Sequence, residues 1–100
     1  MLINCDGVPV SMASLEAHSV IYDYMTRYQF YQEVKGAVLV RVVLNTGVDQ
    51  EVAKKSIEET FTQRTMGKIF FSVEFADTLK PKANGKYSII DQRMNVEEYL

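Results

Sequence analysis

The spacing of apolar residues changes several times along the chain, and each change marks an element. Residues 2–10, LINCDGVPV, read as two short extended pieces joined at Asp6-Gly7, a dipeptide that favours tight hairpin turns. Pro9 keeps the second piece extended, and Ser11 or Ser14 is suited to cap the next element. Over 12–25, Ala13, Ala17, Val20, Ile21 and Tyr24 recur at helical spacing, which predicts a first helix. Several of its residues are β-branched or aromatic, so packing rather than propensity has to hold it.

The period then drops to two. In RYQFYQE, Tyr28 and Phe30 fall on one face, and Gln29 and Tyr31 on the other. Lys35-Gly36 makes a turn, and AVLVRVVL comes next as a strand with Val38, Val40, Val42 and Leu44 on its buried face. Arg41 stands on the opposite face beside Leu39 and Val43, so that face is only partly covered. The two strands form an antiparallel hairpin. A second helix then starts at Thr46 or Asp49 and ends at Gly67, with Ala53, Ile57 and Phe61 as its apolar seam. Its pairs Glu51–Lys55, Lys54–Glu58 and Lys55–Glu59 describe a solvated face. KIFFSVEFA alternates again, placing Ile69, Phe71, Val73 and Phe75 inward and Phe70, Ser72 and Glu74 outward. A last segment with Ile89, Ile90, Met94, Val96 and Leu100 reads as a strand turning into a short helix.

The order is a short hairpin, helix, strand, strand, helix, strand. It predicts an α+β domain: a three-stranded sheet with helices packed on it, spanning residues 1–100 without a repeat or an interdomain linker. Composition narrows the setting. The net charge of −2 argues against general nucleic-acid affinity, which needs a basic face. The apolar run at 37–40 is broken by Arg41, far short of a membrane span, and the start of the chain has no signal-peptide pattern. Cys5 is the one cysteine, so no internal disulfide forms and a reducing, cytoplasmic setting is expected.

Most catalytic chemistry is missing. His18 is the one histidine, with no second ligand at metal spacing and no cysteine placed for a Cys–His pair; it is expected in the first helix between Leu15 and Tyr22. No metal site is expected. No basic residue adjoins Cys5 in the sequence, and neither a nucleophile elbow nor a glycine-rich phosphate motif occurs. The aromatic cluster Tyr22, Tyr24, Tyr28, Phe30 and Tyr31 suits core packing better than base stacking.

One stretch stands out: KPKANGK, residues 80–86. An Asn-Gly turn fixes the direction of the residue behind it, which is Lys86, while Lys80 and Lys82 flank Pro81 on the approach. A lysine ammonium is a compact charge with three donors, matched to phosphate or carboxylate oxygens. Spacing alone leaves two readings open: a solvated turn that reverses the chain, or a rigid loop that delivers Lys86 to an anion.

Three pieces in order carry a resemblance: DGVPVSMASLEAH, YQFYQEVKGAVLVRVV and FSVEFADTLKPKANGKYSIID. They are similar to the hairpin after the hinge, the strand hairpin and the closing strand with its lysine loop in the C-terminal domain of adenylate-forming enzymes. The match is to the branch of phenylacetate–coenzyme A ligases, coenzyme F390 synthetase-like proteins and capsular polysaccharide biosynthesis proteins, and it covers nearly the whole chain. The resemblance implies that a large N-terminal adenylation domain holds Mg-bound ATP and a carboxylic acid. The small domain closes over it, and an acyl-adenylate forms before the acyl group passes to coenzyme A. It implies Lys86 as the catalytic lysine bridging carboxylate and nucleotide oxygens. Gly85 would allow close backbone approach, Asn84 would shape the turn, and Lys80 or Lys82 would replace the family's arginine.

The family's Pro-Arg-Thr has no direct counterpart, since Pro81-Lys82-Ala83 is one residue short of it. Its hinge signature is expected before Met1. On this reading the chain is an excised or separately encoded C-terminal domain, binding neither ATP nor coenzyme A and catalysing nothing by itself. Its partners are the adenylation domain and the acid, not nucleic acid or a membrane. A different class fits the element order too. A ferredoxin-like or ACT-like module would bind a small regulatory ligand at a dimer interface, and a plain interaction domain would dock through Phe70 and Tyr31.

Overall fold

The structure, a computed structural model, describes residues 1–17, 19–79 and 89–100. Its one α-helix among these residues, α1 (Gln50–Arg64), forms where the sequence carries complete start and stop signals. The Asp49 carboxylate accepts from the Val52 N–H at 3.0 Å, capping one of the donors that a helix N-terminus leaves unpaired. At the far end the Gly67 N–H donates to the Thr62 carbonyl and the Met66 N–H to Gln63, each at 2.9 Å. That is the paired closure of a Schellman motif. Gly67 ends the helix as expected, but the first left-handed position falls on Met66, with φ of 53°.

The expected hairpins form. β1 (Leu2–Ile3) pairs antiparallel with β2 (Pro9–Val10), and Gly7 takes φ of 77° in the turn between them. β3 (Met25–Val34) pairs antiparallel with β4 (Ala37–Leu44). α1 then carries the chain to β5 (Phe70–Phe75), which lies parallel to β4 with Phe71 beside Val38 and Val73 beside Val40. The sheet has four strands rather than three. β6 (Ile90–Gln92) adds parallel to the free side of β3, giving the order β5-β4-β3-β6. Three residues are too few to show a period, which is why periodicity reveals only a terminal strand-like segment there.

This order differs from a ferredoxin-like domain. In that fold each β-α-β crossover is split, with another strand between its two parallel strands. Here β4 and β5, joined by α1, are hydrogen-bonded neighbours.

The first helix predicted over 12–25 does not form. Two short 3₁₀ turns, Met12–Ser14 and Val20–Tyr24, stand in its place. Of the five seam residues only Ile21 is fully buried, and Val20 is 58% exposed. Two carbonyls that a helix would use internally are taken by side chains. The Tyr22 hydroxyl donates to Leu15 O at 2.7 Å, and Arg64 Nη1 donates to Leu15 O at 2.6 Å and Ala17 O at 2.5 Å. Ser19 Oγ accepts from Ile21 N–H at 3.4 Å and starts the second turn anew. Tertiary partners thus outcompete weak local propensity. His18, expected inside that helix, lies outside the described residues.

The core lies between α1 and one face of the sheet. Ala53, Ile57 and Phe61 are fully buried against Phe30, Val38, Val40, Val42, Ile69 and Phe71. Phe30, Phe61 and Phe71 meet with ring centroids 5.2–6.1 Å apart, and Tyr22 and Tyr28 continue the cluster. Edge-on and tilted contacts of this kind add to simple area burial. Tyr31 is not part of the cluster; it stands on the other face of β3. The helix also serves the sheet edge: Glu58, expected to pair with Lys54, accepts from the Val73 N–H of β5 at 2.8 Å. A carboxylate on an outward N–H blunts an edge strand against unwanted pairing.

Two consequences are measurable. Burial pushes the Tyr22 hydroxyl up to about 12 from an ordinary 10, with the neighbouring Tyr28 adding to the effect. Between those values the unfolded chain loses its phenol proton first, so stability is full below pH 10 and falls as pH rises towards 12. Denaturant titrations of Tyr22→Phe should show a loss of about 1 kcal/mol at pH 7 and a shallower decline above pH 10; an unchanged alkaline slope refutes the assignment. Met66→Gly should raise stability by about 0.5–1 kcal/mol in the same assay, because a left-handed non-glycine residue is strained by more than the added chain entropy costs.

Candidate functional site

Lys80, Lys82, Asn84, Gly85 and Lys86 lie outside the described residues, so the structure speaks to the two anchors of their segment. On one side the Ala76 N–H donates to Val42 O at 2.9 Å, extending the ladder just past β5, and Leu79 is buried. On the other side the Phe30 N–H donates to Ile89 O at 2.7 Å, directly before β6. β5 and β6 are the opposite edges of the sheet, with β4 and β3 between them. At the usual strand spacing the connection spans about 14 Å. Phe75 sits beside Val42, and Ile90 beside Phe30, whose other neighbour is Val40. The first anchor therefore lies near the carboxyl end of β4, and the second is level with its middle.

At that end a cleft of about 360 Å³ opens beyond the last residues of β4 and β5, lined by Leu44, Asn45, Val48, Phe75 and Asp77 among others. Crevices at the carboxyl ends of parallel strands often hold ligands. This one has little to offer an anion through its described lining. Asn45 is occupied, donating from Nδ2 to Asp23 O at 2.7 Å and accepting from Thr26 Oγ1 at 2.5 Å. Asp77 is acidic, and no described lining residue is a cation.

The face of the sheet away from α1 carries a charged cluster. Arg41 lies over the Tyr31 ring at 4.4 Å and donates to Gln29 Oε1 at 3.1 Å. Asp91 stands 3.7 Å from Arg41 and binds Arg93 through both oxygens, at 2.8 and 3.2 Å; Glu74 is 4.0 Å from Arg41. Arg93 covers Tyr31 from 5.7 Å, and the Tyr31 hydroxyl bonds to Glu33. Three carboxylates, Glu33, Glu74 and Asp91, accompany the two guanidiniums, so this face carries no excess of positive charge for an anion. Beside it Phe70 and Val34 are 67% and 60% exposed. The sequence foretold Arg41 and Phe70 on this face, and missed Asp91 and Arg93, because β6 is too short to read.

Cys5 is exposed at the turn of the first hairpin. Next to it the Lys68 ammonium sits 2.9 Å from Asp6; this contact holds the Asp6 carboxyl below its ordinary value and raises Lys68. Among the described residues no three His, Cys, Asp or Glu side chains gather where they could hold a metal ion, and no helix is long and apolar enough to cross a membrane.

A feature not foreseen is the amide of Gln32, which is completely buried. Its signal was present: Tyr28, Phe30 and Gln32 share the inward side of β3, and a glutamine at an inward position needs internal partners.

A family model described as the CapK C-terminal domain matches residues 2–93, and the chain belongs to that family, consistent with a C-terminal domain related to capsular polysaccharide biosynthesis. No curated protein matches the chain.

Proposed function

We propose that this CapK C-terminal domain is the mobile lid of an AMP-forming acid–CoA ligase or related adenylyltransferase, and that Lys86 is its catalytic lysine. The observation that carries the reading is the extent of the family match. It runs from the first hairpin through the helix and sheet and continues past Lys86 to residue 93. The lysine segment is an integral part of the family's pattern on this reading, not an appended tail.

The chemistry is governed by charge. Joining a carboxylate to the α-phosphorus of ATP brings two anions together, and negative charge grows on the phosphoryl oxygens as pyrophosphate departs. A lysine held between the two groups lowers that repulsion and fixes the attack geometry. The adenylation domain supplies the nucleotide and acid pockets and the Mg-bound ATP; coenzyme A accepts the acyl group in the second half-reaction. The lid delivers Lys86 for the first step and withdraws it for the second, a gating motion. The anchors fit this task. The residues on either side of the lysine segment are hydrogen-bonded to the packed sheet, at β4 and at β3, and turn with it.

The test is made in the longer protein that carries this domain. Lys86→Ala should slow acid-dependent exchange of pyrophosphate into ATP by about 10²–10³-fold, the usual cost of removing one transition-state donor. Transfer to coenzyme A from a preformed acyl-adenylate should change far less. Equal losses in both half-reactions, or none in the first, would falsify the role given to Lys86.

A further inference from the structure

The first hairpin is not a strand of the main sheet, yet its position is tightly determined. Ile3 faces Pro9 across the hairpin, and a proline has no N–H to offer. The polar groups of Ile3 turn instead to the main sheet. Its N–H donates to Gln32 Oε1 at 2.9 Å, and its carbonyl accepts from Gln32 Nε2 at 2.7 Å and from the Gly36 N–H at 2.9 Å. The Gln32 amide thus takes the place of a neighbouring strand. Its remaining capacity is also used, since Nε2 donates to Val34 O at 3.0 Å and Oε1 accepts from Gln92 Nε2 at 2.7 Å. Gln92 in turn donates to Met1 O at 2.9 Å and accepts from the Met94 N–H at 3.0 Å.

A continuous run of amide bonds therefore joins the hairpin to β3 and β6. Every donor and acceptor of the buried Gln32 side chain is satisfied, and in the interior partial satisfaction is costly while full satisfaction is rigidifying. Backbone contacts reinforce the dock. The Cys5 N–H donates to Lys68 O at 2.9 Å, and a side chain on Gly36, at φ of 79°, would come within 2.9 Å of Cys5 Cβ. At the opposite end of the link, Ile90 of β6 stands four residues beyond Lys86.

We infer that Gln32 and Gln92 are positioning residues that lock the N-terminal hairpin to β6, so that the hairpin and the strand carrying the exit of the lysine segment turn as one body. The inference rests on the lid reading for its catalytic consequence, though not for the lock itself. A soft joint between hairpin and β6 would let the domain close with Lys86 misplaced, and a displacement of about 1 Å can cost about 10²-fold in rate.

Two measurements separate the lock from the lid. Hydrogen exchange in the full chain is read at Cys5, whose amide touches neither glutamine. Gln92→Leu, at a partly exposed position that tolerates change, and Gln32→Leu, if it folds, should speed Cys5 exchange at least about tenfold while Ile57 and Phe61 in α1 keep their protection. Unchanged Cys5 exchange, or a rise shared equally by α1, overturns the lock. In the longer protein, Gln92→Leu should slow adenylation about tenfold with Lys86 present and scarcely further in the Lys86→Ala background, because a positioning residue acts through the group it positions. Equal slowing in both backgrounds overturns the positioning role. If Lys86→Ala leaves adenylation intact while Cys5 exchange responds to Gln92→Leu, the lid reading fails and the lock stands.

Discussion

The domain depends on a single closure, the burial of one sheet face under one helix. Phe61 on α1 meets Phe30 on β3 and Phe71 on β5, so three elements distant in sequence share one aromatic contact. Aromatic side chains bury large areas with few rotatable bonds, which makes such a junction both stabilising and specific. The alternation of β3, β4 and β5 is tied to this closure, because a slip of one residue would turn every inward side chain to solvent. The turn at Val20–Tyr24 is also a consequence, drawn against Phe61 through Tyr22.

Because one helix closes one face, the other face is left to polar chemistry. Arg41 shows how a charge is accommodated in an otherwise apolar strand. Its guanidinium spreads over Tyr31, binds Gln29 and stands among carboxylates, so little of its charge is uncompensated. Such a surface is ordered without being a receptor for phosphate. The absence of a cation from the described lining of the cleft leads to the same point. On the proposed reading, anion chemistry belongs to the lysine segment and to a partner domain rather than to the sheet.

The N-terminal hairpin illustrates a second way to join elements. A strand ladder couples neighbours through many backbone bonds, whereas here one buried side-chain amide does most of that work for Ile3. The arrangement is compact but brittle, since a buried donor left unpaired costs more than a hydrogen bond normally contributes. It gives the hairpin a defined orientation while leaving it outside the sheet.

Some elements were legible because their signals are local. Asp49, the seam Ala53–Ile57–Phe61 and Gly67 specify α1 within one stretch, and the two-residue period of β3, β4 and β5 sorts their faces with no knowledge of partners. Asp6-Gly7 and Lys35-Gly36 mark their turns for the same reason. The lysine segment was legible as a motif, through Asn84, Gly85 and Lys86, and the catalytic role proposed for it comes from resemblance rather than from geometry. Other features were decided only by the folded chain. Residues 12–25 have helical spacing, yet the Leu15 and Ala17 carbonyls accept from the side chains of Tyr22 and Arg64, and the segment closes only as two short 3₁₀ turns. β6 is a strand because β3 offers it an edge, and Gln32 is buried because Ile3 and Gln92 complete its bonds. The sequence by itself determined what short-range periodicity and turn chemistry can encode; the tertiary structure decided every element whose hydrogen bonds close on residues far away in the chain.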